Sequence, residues 1–443
     1  MIITIIGTGY VGLVSGACFS EFGFDVTCVD TDVDKISMLN NNISPIYEPG
    51  LEQMIQSNAE AGRLRFTTEL ALCVPKSKVV FLAVGTPTAE NGDDIDLSYV
   101  FAATEEIAPL LADETVVIVK CTVVPGTAQR IRQRIEELRP GLDFSVVSNP
   151  EFLREGSAIQ DFMRPDRVVL GIHDKHGKEA AEAIYRPLKL QDTPISLTSL
   201  AGAEISKYAS NAFLAMKISF INGIADLCER VDGNIIEVSD IIGLDERIGD
   251  KFLRAGPGFG GSCFPKDTRA FAAFGRKVGA PQPLVESTIA FNESRKTEMA
   301  ERVLDAIGEA AGKTVTVLGV AFKPDTDDIR ESPALPVIDL LIENGINVRA
   351  FDPKAMEAAS KLYPGVIWSD DPYEAAVGAS AVVIMTEWNL LRALELHRLR
   401  SVMAHPLIID LRNIHRRKEP TRYGFTYVSV GRDPANPATD QID

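Results

Sequence analysis

Residues 2–12 read I-I-T-I-I-G-T-G-Y-V-G, and residues 25–30 read D-V-T-C-V-D. The first five are an apolar run of the kind that a strand buried on both faces requires. Gly7, Gly9 and Gly12 lead into a helical pattern over 11–22; a second strand follows over 25–29, and Asp30 lies 18 residues after Gly12. A lone G-x-G-x-x-G says little. Strand, glycines, helix, strand and terminal acid at these spacings specify a dinucleotide-binding βαβ unit. The glycines permit a tight turn and let the backbone approach a pyrophosphate, which rests on the helix N-terminus. Asp30 suits the adenosine ribose hydroxyls and repels a 2′-phosphate. No arginine follows to bind such a phosphate, so NAD is expected rather than NADP. Lys35 is spaced either for a further ribose contact or for solvent.

Further strands are predicted over 79–84, 116–120 and 144–148, alternating with helical segments as a doubly wound parallel sheet requires. Ligands of such sheets sit beyond the carboxyl ends of the strands. Thr86 in V-G-T-P, Thr122 in K-C-T-V-V-P-G-T and Glu151 in N-P-E-F-L-R-E-G all follow strand ends and together form the lip of a site. Glu151 and Glu155 would share a face on a helix, which is unfavourable unless a ligand or cation uses them. A solvated acidic face is the other reading.

From residue 199 a 3.6-residue period holds for some 28 residues without a Gly-Pro break. Its apolar positions outnumber one stripe, which points to burial against its own domain and a partner subunit. Lys207 and Asn211, four apart in that run, form a polar site cut into a core helix.

Residues 256–267 read G-P-G-F-G-G-S-C-F-P-K-D. The glycines and prolines make a tailored loop, and Pro265 suits the first turn of a helix beginning near Phe264. Cys263 is thereby placed at a helix N-terminus, where the partial positive charge favours a thiolate. Lys266 and Asp267 fall three and four residues on, so a nucleophile, a charge stabiliser and a proton handler share one turn. An inert cysteine in a packing turn is the alternative, and the Gly run with the Lys-Asp pair weighs against it. Upstream, Phe252 and Phe259 could wall a flat ring, and Arg247 and Arg254 could meet phosphate or hydroxyl groups.

The last third repeats the strand-turn pattern. Strands are predicted over 315–318, 348–351, 381–385 and 407–409. Gly319 to Asp352 spans 33 residues against 23 from Gly7 to Asp30, and Lys323, Asp325 and Arg330 replace the glycine fingerprint. The expected fold is α/β: two Rossmann-like doubly wound domains joined by a central helical domain with a long helix. The expected divisions are 1–198 for NAD, 199–300 for the helical, dimerising domain with the cysteine loop, and 301–430 for a second nucleotide. The Pro- and Asp-rich tail, 431–443, is expected to be disordered.

The chain has 443 residues, 45% apolar, with a net charge of −17, which argues against a general nucleic-acid or anionic-membrane surface. Six cysteines without CxxC or metal-finger spacing read as reduced thiols of a cytoplasmic protein, with no metal site. The chain opens directly on a strand, so no signal peptide is expected.

With these pieces placed, the chain resembles the UDP-glucose/GDP-mannose dehydrogenase family over nearly its full length. The carrying motifs are G-T-G-Y-V-G at 7–12, N-P-E-F-L-R-E-G at 149–156, K-Y-A-S-N-A-F at 207–213 and G-F-G-G-S-C-F-P-K-D at 258–267. G-V-A-F-K-P-D-T-D-D-I-R-E-S-P at 319–333 and D-L-R-N at 410–413 continue the match. The resemblance implies oxidation of the C6 alcohol of a nucleotide sugar to a carboxylate, with two NAD and one water. Cys263 would hold the intermediate aldehyde as a thiohemiacetal and then a thioester. Lys207 and Asn211 would stabilise the oxyanion, Asp267 with Thr122 would position a water, and Glu151 would serve in hydrolysis.

By the same resemblance, Gly7, Gly9, Tyr10, Val11, Gly12, Asp30, Lys35, Thr86, Thr122, Glu155, Lys266 and Arg330 map to NAD. A UDP-sugar would meet Glu151, Phe152, Leu153, Arg154, Glu155, Lys207, Asn211, Phe252, Leu253, Arg254, Ala255, Gly256, Gly260, Phe322, Lys323 and Arg412. Arg247 would reach the sugar site of a neighbouring subunit, which makes a homodimer or larger homo-oligomer the expected assembly. Cys121 stands where the family carries Ser. Phe264 and the approach E-R-I-G-D-K-F-L resemble the glucose branch rather than the GDP-mannose branch. A two-electron hydroxyacid dehydrogenase of the 6-phosphogluconate type shares the first domain, long helix and lysine but has no use for Cys263. A non-enzymatic NAD-binding module leaves the Gly-Cys-Lys-Asp cluster without a purpose.

Overall fold

Apolar runs too short for helices become the strands of two sheets. The computed structural model describes residues 1–89, 94–309 and 311–437. It divides into two units: Met1–Ser210 with Ala273–Gly279, and Asn211–Ala272 with the chain from Ala280 onward. The helical segment 199–300 is divided between these two units.

In the first unit the strands are β1 (Ile2–Ile6), β2 (Asp25–Val29), β3 (Leu64–Thr67), β4 (Val79–Leu82), β5 (Thr115–Val119), β6 (Phe144–Ser148), β7 (Val168–Ile172) and β8 (Ile195–Thr198). Their order is β3-β2-β1-β4-β5-β6-β7-β8. All neighbours are parallel, as a doubly wound sheet requires, except β6 and β7, which run antiparallel. The order reverses between β1 and β4, which is where an open α/β sheet leaves a crevice for a ligand. Every residue of β4 and β5 is buried, because helices cover both faces of the sheet.

The second unit holds β9 (Thr314–Leu318), β10 (Asn347–Phe351), β11 (Ile367–Trp368), β12 (Ala381–Ile384), β13 (Leu407–Asp410) and β14 (Thr426–Ser429), in the order β11-β10-β9-β12-β13-β14. Its neighbours are all parallel. The turn after β9 repeats the turn after β1. Gly319 N–H donates to Phe351 at 2.8 Å as Gly7 N–H donates to Val29 at 2.7 Å. Asp352 accepts the Val320 amide at 2.7 Å as Asp30 accepts the Thr8 amide at 2.7 Å.

The C-terminal expectation needs correction. Over 431–437 the chain is held: Gly431 N–H donates to Glu229 at 2.5 Å, and Ala435 exchanges two 2.9 Å hydrogen bonds with Tyr427. Burial of Arg432 and Ala435 supplies what composition alone does not reveal. Residues 438–443 lie outside the described residues. No helix among the described residues is long and apolar enough to cross a membrane.

The long helix spans Leu200–Arg230. Near its start, buried Glu204 accepts the amides of Gly126 (2.6 Å) and Ala128 (2.8 Å), capping the helix Thr127–Leu138 with a side chain distant in sequence. Burial raises this carboxyl to about 7, against the pull of the two amides. A folded-state value above the unfolded one means that stability is fully present below the unfolded pKa and is lost as pH rises through the folded value. The first unit should therefore lose stability between about pH 4.5 and 7, and Glu204→Gln should flatten that slope in urea titrations run across the same range.

Candidate active site

In the first unit, the residues after β1 form a cradle. A Cβ on Gly7 would stand 2.6 Å from the Ala83 carbonyl oxygen, and one on Gly12 would stand 2.0 Å from that of Gly7. Glycine is required there by backbone contact. Gly9, which precedes the helix Tyr10–Glu21, has nothing within 4 Å of its Cβ position. Open space over the amides of a helix N-terminus suits a pyrophosphate, so these residues fit NAD. Half-buried Asp30 closes the far side. Burial alone would raise its pKa, but the Thr8 hydroxyl and amide, the Asp32 amide and Lys35 hold it below the usual carboxylate range. Lys35 itself pairs with Asp32 at 3.5 Å and is partly exposed. Thr86 and Thr122, both half-buried, follow β4 and β5 as expected.

Residues 149–155 are not helical, so Glu151 and Glu155 do not share a helix face as expected. The loop turns Glu151 inward instead. Its Oε1 accepts Lys207 Nζ at 2.9 Å and its Oε2 accepts the Leu153 amide at 2.6 Å, with both charged groups almost fully buried. Two cations lie over the Phe152 ring, Arg167 at 3.6 Å and Lys207 at 5.4 Å from its centroid. Exposed Arg154 is paired with Asp161 at 2.6 Å.

Two residues in this unit escaped the sequence reading. Lys120, at the end of β5, is buried, and its ammonium donates to Asn149 at 3.1 Å and Tyr185 at 3.3 Å. Burial pushes its pKa down to about 8, with Glu151 opposing and Lys207 reinforcing that shift. Glu48 is also buried, and it accepts the amides of Gly156 (2.7 Å) and Ala158 (2.8 Å) and the hydroxyl of Tyr10. Tyr10, expected at the cofactor, thus directs its hydroxyl to a carboxylate of its own chain. A glutamate flanked by apolar Ile46 and Leu51 was the available signal.

The cysteine helix, which starts in the second unit, spans Phe264–Lys277, as its proline indicated. Cys263 immediately precedes it: the Asp267 amide donates to the Cys263 carbonyl at 2.8 Å, and Cys263 Sγ lies 3.5 Å from Ser262 Oγ. Asp267 is 1% exposed and joins Lys266 Nζ (2.7 Å) to Asn211 Nδ2 (2.6 Å). A thiol, an ammonium, a carboxylate and an amide therefore occur around one helix start. Lys266, expected at NAD, bonds Asp267.

Side chains from two helices hold the loop before Cys263. Asn222 accepts the Gly256 amide at 2.8 Å, and Arg295, on the helix Pro283–Ile307, donates to the Gly256 carbonyl at 3.2 Å. Asn292 takes the Phe259 amide at 2.8 Å and gives to its carbonyl at 3.0 Å. These three were missed, although polar residues at buried positions of helical runs were the signal. Leu253 and Ala255 point into the core, so these two can meet a ligand only through backbone atoms. Phe252 and Phe259 do pack against a flat ring, but it is that of Phe264, at 6.1 and 6.0 Å.

The motif at 319–333 supports the same loop. A Cβ on Gly260 would stand 2.3 Å from the Glu331 carbonyl oxygen, and Gly261 N–H donates to Arg330 at 2.8 Å. The Arg330 side chain is exposed and bonds Asp328 at 2.7 Å. The Phe322 ring lies against Gly261, with Lys323 Nζ 5.5 Å from its centroid. Arg412 donates to the carbonyls of Met385 (2.7 Å) and Phe322 (3.0 Å). Arg247 pairs with Asp245 and is 89% exposed, and Arg254 is exposed as well. Among the described residues no group of three or more His, Cys, Asp or Glu side chains is placed to hold a metal ion.

Comparison with known proteins extends this geometry. The chain matches the UDP-glucose/GDP-mannose dehydrogenase family in its NAD binding domain (1–189), central domain (201–294) and UDP binding domain (316–417). It is 52% identical to a UDP-glucose 6-dehydrogenase of Rhizobium meliloti, over 98% of this chain and 100% of that protein. It is 43% identical to one from Bacillus subtilis, over 100% of this chain and 95% of that one. The solved structure of a UDP-glucose dehydrogenase from the archaeon Pyrobaculum islandicum superposes with a TM-score of 0.89, at 36% identity and 98% coverage of each chain.

Removing one partner of a buried ion pair strands the other charge. Lys207→Met should cost about 3 kcal/mol of stability in urea melts. The double variant Lys207→Met, Glu151→Gln should lose less than the two single changes summed, because no unpaired carboxylate is left buried.

Proposed function

Because the chain belongs to the UDP-glucose/GDP-mannose dehydrogenase family, we propose that it oxidises UDP-glucose to UDP-glucuronate by a four-electron, NAD-dependent reaction. The observation that carries this reading is Cys263 at a helix start, one turn from a buried Asp267 bonded to Lys266 and Asn211. A two-electron alcohol dehydrogenase needs no nucleophile. An alcohol taken to the acid level needs one, because an aldehyde cannot give up a second hydride until something has added to its carbonyl carbon.

Bound NAD, held by residues 7–12 and Asp30 with Thr86 and Thr122, supplies the hydride acceptor for each oxidation. In the first, Asp267 with Thr122 orients the water that accepts the hydroxyl proton of C6. Cys263 Sγ then bonds to the aldehyde carbon as a thiolate, and the π bond from that carbon to oxygen opens to an alkoxide. Lys207 and Asn211, one turn apart on the long helix, donate to that oxygen. Loss of hydride from carbon restores the carbonyl as a thioester on Cys263. Glu151 serves the water that adds to the thioester and displaces the thiolate. One alcohol, two NAD and one water become one carboxylate, two NADH and three protons. The UDP moiety is assigned to Phe252–Gly256 backbone, Gly260, Phe322, Lys323 and Arg412 of the second unit.

The same reading assigns a homodimer. Phe213, Phe220 and Leu227 are each more than half exposed, and their seven-residue spacing keeps them on one stripe of the long helix. An exposed apolar stripe of that kind fits a second copy of the chain, and the exposed Arg247 would serve the partner's sugar site.

Absorbance at the NADH band should report two NADH per UDP-glucose and no turnover of GDP-mannose. Cys263→Ser should release no UDP-glucuronate; a fully active variant would end the thioester reading. Light scattering should give a dimer, shifted toward monomer by Phe220→Glu.

A further inference from the structure

Glu48 lies outside every motif that defines the reaction, yet its carboxylate takes one donor from each of two of them and a third from just beyond the second. Its Oε1 accepts the Ala158 amide at 2.8 Å, and its Oε2 accepts the Gly156 amide at 2.7 Å and the Tyr10 hydroxyl. Tyr10 is the first residue of the helix after the glycine turn, and Gly156 ends the loop that bears Glu151. The other end of that loop is fixed separately, through Asn149, whose amide nitrogen donates to Val169 at 2.9 Å and whose oxygen accepts Lys120. Between these anchors residues 150–155 form no regular structure. Without regular backbone pairing, the position of Glu151 depends on where the two ends are tied. Gly156 itself has φ +79°, so the chain turns sharply where Glu48 grips it.

A buried carboxylate whose lone pairs meet three donors is costly to desolvate and is useful only while all are in place. A neutral amide in its place would aim an N–H at a backbone N–H. The shorter aspartate keeps the charge and cannot span both amides.

We propose that Glu48 is a positioning residue for the hydrolytic half of the reaction: by tying Gly156 and Ala158 to Tyr10, it sets the loop from which Glu151 serves the thioester. It touches neither substrate nor cofactor. This rests on the thioester reading, and its signature is accumulation of the acyl-enzyme rather than loss of binding.

The test compares wild type, Glu151→Gln, Glu48→Gln and Glu48→Asp with UDP-glucose and NAD, quenched in acid and measured by intact mass. Both Glu48 variants should lower kcat about tenfold or more, since small misplacements of a catalytic group have effects of that size. KM for UDP-glucose should fall along with kcat, leaving kcat/KM within about twofold, because hydrolysis follows the steps that bind the substrate and load Cys263. The fraction of enzyme carrying a uronyl adduct at Cys263 should rise as it does in Glu151→Gln. If Glu151→Gln accumulates the adduct and neither Glu48 variant does, the positioning role is wrong and the thioester reading stands. If no protein ever carries an adduct, the thioester reading falls with it. Should Glu48→Gln fail to fold, Glu48→Asp decides the matter alone.

Discussion

Lys207 and Asn211 are one turn apart on a single helix, and each is bonded to a buried carboxylate: Glu151 for the first, Asp267 for the second. Burial makes both arrangements binding, since a charge removed from water must find a partner or lose its charge. The two carboxylates come from different elements, an irregular loop after β6 and the first turn of the cysteine helix. The helix has one register in which Lys207 meets Glu151 and Glu204 meets the amides of Gly126 and Ala128. A slip by one residue would rotate every polar group of this face by about 100°. That constraint lets apolar residues fill the rest of the helix without leaving its orientation ambiguous.

The two sheets use one turn for different ends. After β1 and after β9 the same glycine geometry brings an aspartate onto the following amide. Asp30 stays half exposed, and its pKa is held down by Thr8 and Asp32 once the cost of burial is overcome. Asp352 is fully buried and spends its oxygens on Val320, Ala321, Lys354, Ala355 and the Trp388 indole. A carboxylate so engaged stabilises its own turn and has nothing to offer a ribose. A repeated fold element therefore does not imply a repeated ligand contact.

The loop that presents Cys263 has little regular structure, and its rigidity comes from side chains borrowed from helices. Asn222, Asn292 and Arg295 hold its amides and carbonyls, and the chain at 330–331 closes on Gly260 and Gly261 from the other side. Such a loop can offer backbone donors to a ligand while keeping its own geometry. Glu48 does comparable work for the loop that bears Glu151.

Most of the framework was legible in the sequence. Apolar runs gave β1, β2 and β6 to the residue, and Pro265 located the start of the cysteine helix, because these depend on neighbours within a few positions. Strands β3, β8, β11 and β14 passed unread, being short or partly polar, and β7 passed unread although its V-V-L-G-I carries no polar side chain. By itself the sequence determined the two sheets and the long helix. Tertiary structure alone decided that Glu151 turns toward Lys207, that Tyr10 is bound to Glu48, that Phe264 fills the space between Phe252 and Phe259, and that 431–437 pack against the second sheet unit. The reason is physical: periodicity fixes which face a residue occupies, whereas the partner of a buried charge or ring is set by chain segments dozens to hundreds of residues away.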